Sequence, residues 1–226
     1  MRPEIQLRPA GLIFDMDGVL IDSEPLHKRA KEQVFAEFGI VLPEQVYEDY
    51  KGRPDETMMR EIAAKLANPA INADELLRRK HRAFEAMEHT ILPIPGAVEF
   101  VLWAKLRYRI AVATSATPRN REVALHALGL TSAFEAVVDA GDYQHPKPDP
   151  EVFQVTAREL ALRPEQCWVI EDTLNGVKGA KAAGCVAVGL TTTFAGEALV
   201  AAGADLIVHS FAELKSRLKE TDAKGR

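Results

Sequence analysis

Two hydrophobic patterns divide the chain. Leu12-Ile13-Phe14 is an unbroken apolar run, the mark of a strand buried on both faces. Amphipathic helices follow with no strand between them. Leu26, Ala30, Val34 and Phe38 recur every four residues, widened by Phe35 and stopped at Gly39. That spacing predicts a helix capped by Ser23, with Pro25 in its first turn. A second helix is expected over Asp55–Leu66, ahead of Asn68-Pro69. A third is expected from Ala73 to about Glu88, with Leu76, Leu77, Phe84 and Met87 inward. From Pro93-Ile94-Pro95-Gly96 the chain alternates. A helix carrying Val98, Val101, Leu102 and Leu106 leads to a strand at Ile110–Thr114, and a helix at Pro118–Leu128 leads to Ala136–Asp139. A helix opened by Asp149-Pro150 precedes Cys167–Asp172. The small-residue helix Gly176–Ala183 precedes Val186–Leu190, and a short helix precedes Leu206–Val208.

Strands and helices in alternation imply a parallel sheet covered on both faces. The expectation is an α/β protein whose doubly wound sheet is built from residues 1–22 and 93–226. Residues 23–92 form an inserted α-helical cap domain, with the Pro-rich stretch as return linker.

Composition narrows the function. A chain of 226 residues holds one such domain plus an insertion. Its formal charge of −5 and the lack of a long basic run argue against nucleic acid. An anionic ligand therefore needs positive potential built locally. No stretch nears the roughly 20 apolar residues of a membrane helix, and Met1–Gly11 lacks an apolar signal core. Cys167 and Cys185, isolated and without zinc spacing, suggest packing roles in a reducing cytoplasm. A monomer or weak dimer is expected, with Thr221–Arg226 frayed.

In doubly wound sheets, ligands sit at the C-terminal strand ends. Those ends here carry Asp15 and Asp17, then Thr114-Ser115, then Glu171-Asp172, with Lys147 in the loop after the third strand. Asp15 and Asp17, two apart on extended backbone, point to one side, and Gly18 lets the chain turn sharply. Singly, each has a plainer reading: Thr114-Ser115 and Glu171-Asp172 as helix caps, Asp149 as an N-cap, Lys147 as a solvated side chain. Together at one sheet edge they fit phosphoryl transfer around a hard cation, Mg²⁺ above all. Asp15 is then the nucleophile and Asp17 the acid and later base. Glu171 and Asp172 complete a metal site with Asp15 and Asp17. Lys147, Thr114 and the backbone amides of Met16, Asp17 and Ser115 hold the phosphoryl oxygens.

Asp15-Met16-Asp17-Gly18-Val19-Leu20, Thr114-Ser115, Lys147 and Glu171-Asp172 resemble the four ordered motifs of the haloacid dehalogenase superfamily over nearly the whole chain. The resemblance implies the helical cap, and Asp17 implies a phosphatase or phosphomutase, because dehalogenases lack that acid/base. Ser23-Glu24-Pro25-Leu26-His27 and Lys51-Gly52-Arg53 are similar to the branch holding β-phosphoglucomutase and small sugar-phosphate phosphatases. By that resemblance, Glu24, His27, Gly52, Arg53 and Lys80 face the substrate when the cap closes, and His27 guides the acid/base Asp. The mutase's phosphate-gripping Arg falls on Asp55, and Arg53 is the nearest substitute. The plainer readings are a structural His27 and, for Lys80, a solvated face shared with Arg78, Arg79 and Arg82. The expected activity is Mg²⁺-dependent dephosphorylation of a small metabolite, with β-phosphoglucomutase as the alternative. Outside that class stand a phosphoacceptor receiver, which would place its Asp on an interior strand, and a non-catalytic binding protein of this fold.

Overall fold

A computed structural model describes residues 8–50, 55–66, 71–87 and 90–224. The chain opens with β1 (Gly11–Phe14) and β2 (Ile21–Asp22). Four helices follow: α1 (Glu24–Glu37), α2 (Glu44–Asp49), α3 (Asp55–Leu66) and α4 (Ala73–Met87). Then come β3 (Leu92–Pro93), α5 (Ala97–Ala104), β4 (Arg109–Ala113), α6 (Pro118–Ala127), β5 (Ala136–Val138) and α7 (Glu151–Glu159). The last elements are β6 (Cys167–Glu171), α8 (Leu174–Ala183), β7 (Val186–Leu190), α9 (Gly196–Ala202), β8 (Leu206–Val208) and α10 (Phe211–Lys224).

The chain divides into two compact units, residues 1–22 with 92–226, and residues 23–91. The first unit holds a parallel sheet in the order β5-β4-β1-β6-β7-β8. The chain winds outward from β1 through β4 to β5, then returns to β6 on the other side of β1, so the winding reverses beside β1. One sheet face buries Ile13, Ala111, Val169 and Ala187 against Phe153 of α7 and Val177 of α8. On the other, Phe14 meets Phe100 of α5 edge-on at 6.0 Å, and Phe100 packs on Phe211 of α10 at 5.0 Å. Cys167 and Cys185 are buried free thiols. β2 and β3 pair antiparallel, Ile21 with Pro93 and Asp22 with Leu92, so the two chain crossings into the helical unit lie side by side.

The second unit is helical. α4 packs on α1 and α3, burying Leu26, Ala30, Val34, Phe35, Met59, Leu76 and Phe84.

Several details depart from the hydrophobic pattern. α2 and α10 were not foreseen. The strand expected to carry Asp15 and Asp17 stops at Phe14, because the Met16 carbonyl accepts the N–H groups of Val19, Leu20 and Ile21 and closes a turn. Ser23 precedes α1 without a side-chain capping bond. α5 buries Ala97, Phe100, Val101 and Ala104, leaving Leu102 and Leu106 exposed. The end expected to fray continues as helix to Lys224, anchored by buried Leu214 and Leu218. Lys80, for which a solvated face was the plainer reading, is buried. Asn68-Pro69, Lys51-Gly52-Arg53, Glu88 and the first seven residues lie outside the described residues. Among the described residues no helix is long and apolar enough to cross a membrane.

Candidate active site

β1 lies between β4 and β6, so the residues after Phe14, Ala113 and Ile170 meet at one sheet edge. Asp15 donates its backbone N–H to the Ile170 carbonyl at 3.0 Å, fixing it beside Glu171 and Asp172. Oxygens of Asp15, Glu171 and Asp172, all buried, lie within 4.8 Å of one another. Lys147 Nζ closes the group, donating to Asp15 Oδ1 at 2.5 Å, Glu171 Oε1 at 2.7 Å and the Ala113 carbonyl at 3.2 Å. The Lys147 side chain is only 8% exposed, so the solvated reading does not hold.

Three carboxylates against one ammonium leave two negative charges uncompensated. Burial, with Glu171 and Asp17 adding their charge, pushes Asp15 up to about 8 despite Lys147. Burial, Glu171 and Asp15 likewise push Asp172 well above the carboxylate range, and the hydrogen bond from Thr193, then Lys147, draw it back. Burial disfavours the Lys147 charge, but Asp15 and Glu171 more than offset it and hold the ammonium protonated. Asp172 Oδ1 is buried with no hydrogen-bond partner. An all-oxygen donor set with excess negative charge and an orphaned oxygen fits a hard divalent cation.

The plainer readings of the motif residues give way one by one. α6 is capped by Thr117, whose Oγ1 accepts from Asn120 N at 3.3 Å, so Thr114 and Ser115 do not cap it. Thr114 is buried with its Oγ1 accepting from Ala116 N at 3.0 Å, and Ser115 is exposed beside Tyr143. Thr173 caps α8, accepting from Gly176 N at 3.0 Å. Glu171 Oε2 braces the same turn, accepting from the N–H groups of Asp172 and Thr173 and from the Thr173 hydroxyl. The N-cap of α7 is Pro150, without a side-chain capping bond, and Asp149 stands one residue earlier with its Oδ1 accepting from Glu151 N at 3.0 Å. Asp17 follows in the turn, half-buried and near enough for its charge to act on Asp15, but its carboxylate is not among the three clustered acids. Met16, between them, is buried.

Sequence reasoning missed how two glycines shape this edge. A Cβ on Gly18 (φ +73°) would fall 1.9 Å from Asp172 Oδ2. A Cβ on Gly176 would fall 1.8 Å from Glu171, so both glycines make room for an acid. Gly18 is visible in sequence as a turn residue, but Gly176 reads only as a small helical position.

In the helical unit, Gly52 and Arg53 lie outside the described residues, and Glu24 starts α1 half-buried. Lys80 on α4 is ion-paired to Asp55 Oδ2 and donates to His27 Nδ1 at 2.7 Å, while Lys31 holds Asp55 Oδ1 at 3.0 Å. The His27 ring stacks on Phe84 with centroids 4.3 Å apart. Burial and Lys80 push His27 down to about 3, so the ring is neutral. Burial would raise Asp55, but Lys80 and Lys31 prevail and hold it at about 2.

The chain belongs to the haloacid dehalogenase-like hydrolase family, whose model matches residues 9–184. It is 35% identical over 182 residues to the fructose-1-phosphate phosphatase YqaB of Escherichia coli strain K12, covering 80% of this chain and 96% of that one. It is 28% identical over 214 residues to the β-phosphoglucomutase of Bacillus subtilis strain 168, covering 92% of each. Among solved structures, a HAD family hydrolase from Deinococcus radiodurans R1, with bound phosphate and sodium, superposes with a TM-score of 0.79 at 27% identity, covering 96% of this chain and 98% of that one.

Proposed function

We propose that the protein is a Mg²⁺-dependent phosphatase that dephosphorylates a small phosphorylated metabolite, a sugar phosphate, through an aspartyl-phosphate on Asp15. The observation that carries this reading is Lys147 set between Asp15 and Glu171 while Asp172 keeps a buried, unpartnered oxygen. Asp15, Glu171 and Asp172 would hold the cation, with Asp17 following in the turn. A bound Mg²⁺ would supply charge neutralisation for the phosphoryl oxygens and for the acids themselves.

The remaining chemistry falls to the chain. An Asp15 carboxylate oxygen forms a bond to phosphorus as the bond to the sugar oxygen breaks, and Asp17 delivers the proton that leaves with that oxygen. Asp17, now a carboxylate, takes a proton from water as the water oxygen bonds to phosphorus and the Asp15–phosphorus bond breaks. Inorganic phosphate departs and Asp17 is again protonated. Lys147 and the Thr114 hydroxyl hold phosphoryl oxygens, with the amides of Met16 and Ser115 as further donors. Glu24, His27, Gly52, Arg53 and Lys80 are the candidates for substrate selection. Likeness to a fructose-1-phosphate phosphatase supports a sugar phosphate as substrate. A mutase must grip a second phosphate, and in the helical unit Asp55 already occupies Lys80 and Lys31.

The test is release of inorganic phosphate across a panel of sugar phosphates, with fructose 1-phosphate and β-glucose 1-phosphate included. Release that requires Mg²⁺, stops with chelator, and is abolished in Asp15→Asn is expected. Conversion of β-glucose 1-phosphate to glucose 6-phosphate without release would instead establish the mutase, and chelator-resistant turnover would remove the metal.

A further inference from the structure

Lys147 reaches the acid cluster from the loop between β5 and α7, and a carboxylate outside the cluster holds that loop. The loop ends in Gln144-His145-Pro146-Lys147-Pro148-Asp149-Pro150. Pro146, Pro148 and Pro150 lack an N–H, so along this stretch the backbone donors are those of Gln144, His145, Lys147 and Asp149. Asp149 N donates to the Pro146 carbonyl at 3.0 Å, closing a turn around Lys147. Gln144 N and His145 N both donate to one oxygen, Glu151 Oε2, at 3.1 and 2.8 Å, and the His145 ring Nδ1 lies 2.8 Å from the same atom. Glu151 opens α7, and its own N–H donates to Asp149 Oδ1 at 3.0 Å. Further along the same turn, the buried Phe153 ring lies against the Lys147 ammonium, its centroid 5.0 Å from Nζ. The first turn of α7 thus grips the loop ahead of Lys147 and supports the end of its side chain.

We propose that Glu151 is a positioning residue for the phosphoryl site: by gathering the Gln144 and His145 amides and the His145 ring on one oxygen, it fixes where Lys147 enters between Asp15 and Glu171. Lys147 Nζ directs its hydrogens at Asp15 Oδ1, Glu171 Oε1 and the Ala113 carbonyl, 2.5, 2.7 and 3.2 Å away. A flexible four-carbon stem does not set that position by itself, so the loop backbone must. Two of the groups held by Glu151 are neutral amides, so the role asks for an acceptor oxygen and not for a charge. Drift of the loop has two opposite consequences. Phosphoryl oxygens lose a well-placed donor, and a misplacement of about 1 Å costs on the order of 10²-fold in rate. The acids, meanwhile, lose part of the positive charge that opposes a metal cation among them.

The inference rests on the reading of Lys147 as a holder of phosphoryl oxygens. It is tested on the full-length protein by hydrolysis of p-nitrophenyl phosphate at saturating Mg²⁺ and by titration with Mg²⁺ in a calorimeter. Glu151→Ala is expected to lower kcat/KM about 10- to 100-fold, while Mg²⁺ binds as tightly as to the wild type or more tightly. Glu151→Gln, which keeps an acceptor oxygen, should stay within a few-fold of wild type. Should the alanine variant fail to fold, Glu151→Asp, one methylene too short to reach both amides, carries the same expectation. A Mg²⁺ affinity that falls together with kcat/KM overturns the proposal, because general damage to the fold would then explain the loss. So does a glutamine variant as impaired as the alanine one. Undiminished turnover in Glu151→Ala overturns the role of Glu151 and leaves the active site standing. A wild-type chain that hydrolyses neither p-nitrophenyl phosphate nor any member of the sugar-phosphate panel overturns the phosphatase reading itself.

Discussion

At the scale of single residues, the site is shaped as much by missing side chains as by present ones. Gly176 lies in the first turn of α8 with its Cα against the Glu171 carboxyl, and a methyl there would overlap both carboxylate oxygens, at 1.8 and 2.2 Å. Glu171 cannot retreat, because Oε2 is held by two backbone N–H groups and a hydroxyl and Oε1 by Lys147. Gly176→Ala is therefore expected to cost roughly 1–3 kcal/mol, the usual range for overpacking. Helix propensity alone would predict a gain of about 1 kcal/mol for the same change. The sign of the shift in the urea midpoint thus decides between the two. Phosphatase activity should fall with stability, since Lys147 loses its second carboxylate when Glu171 is displaced.

At the scale of elements, α1, α3 and α4 are joined by charge as well as by apolar contact. His27 on α1 is neutral, its Nδ1 taken by Lys80 of α4, while Asp55 of α3 binds Lys80 and Lys31. Burial, Lys80, Lys31 and His81 oppose a proton on His27, and Asp55 favours it. His27 titrates near 3 when folded, against 6.5 as the ordinary value. The unfolded chain therefore binds the extra proton between those limits, and stability must rise with pH from about 3 to 6.5 and level off above. Asp55, held at about 2 against an ordinary 3.8, adds stability that is lost as pH falls from 3.8 towards 2. Urea unfolding of wild type and His27→Asn between pH 4.5 and 7.5 separates the histidine contribution. The wild type should lose up to about 1.4 kcal/mol per pH unit relative to the variant below pH 6.5. Parallel curves would mean an ordinary histidine. None of this was legible in the helix pattern, which offered Leu76, Leu77, Phe84 and Met87 as the inward face of α4. Lys80 falls on that face, and only a partner from distant sequence makes its burial tolerable. α5 failed for a different reason: Ala97–Ala104 is apolar nearly all round, so periodicity alone could not tell the face of Phe100 from that of Leu102. α2 has one buried residue, Tyr47, too little to make a stripe.

At the scale of the molecule, what the chain disclosed best was its parallel sheet, because strands buried on both faces must be continuous apolar runs and their C-terminal ends must carry the polar chemistry. Asp15, Thr114, Lys147 and Glu171-Asp172 were legible for that reason. The pairing of β2 with β3 was not, being two residues long and made by segments with 69 residues between them, from Asp22 to Leu92. Yet that pairing explains how a helical unit can be inserted without disturbing the sheet. Paired residues in an antiparallel ladder lie about 5 Å apart, so the ends left by removing residues 23–91 already meet. A two-residue Asn-Gly turn joining Asp22 to Leu92 would close them as a hairpin. What remains keeps all six sheet strands, both covering layers and the three clustered acids with Lys147. A domain of about 150 residues buries some 70% of its surface, enough to stand alone. The shortened chain is expected to unfold cooperatively by circular dichroism and to bind Mg²⁺ within a few-fold of the full protein. An unfolded or aggregated product would mean that the sheet depends on the helical unit, and the division of the chain into two independent units would have to be abandoned.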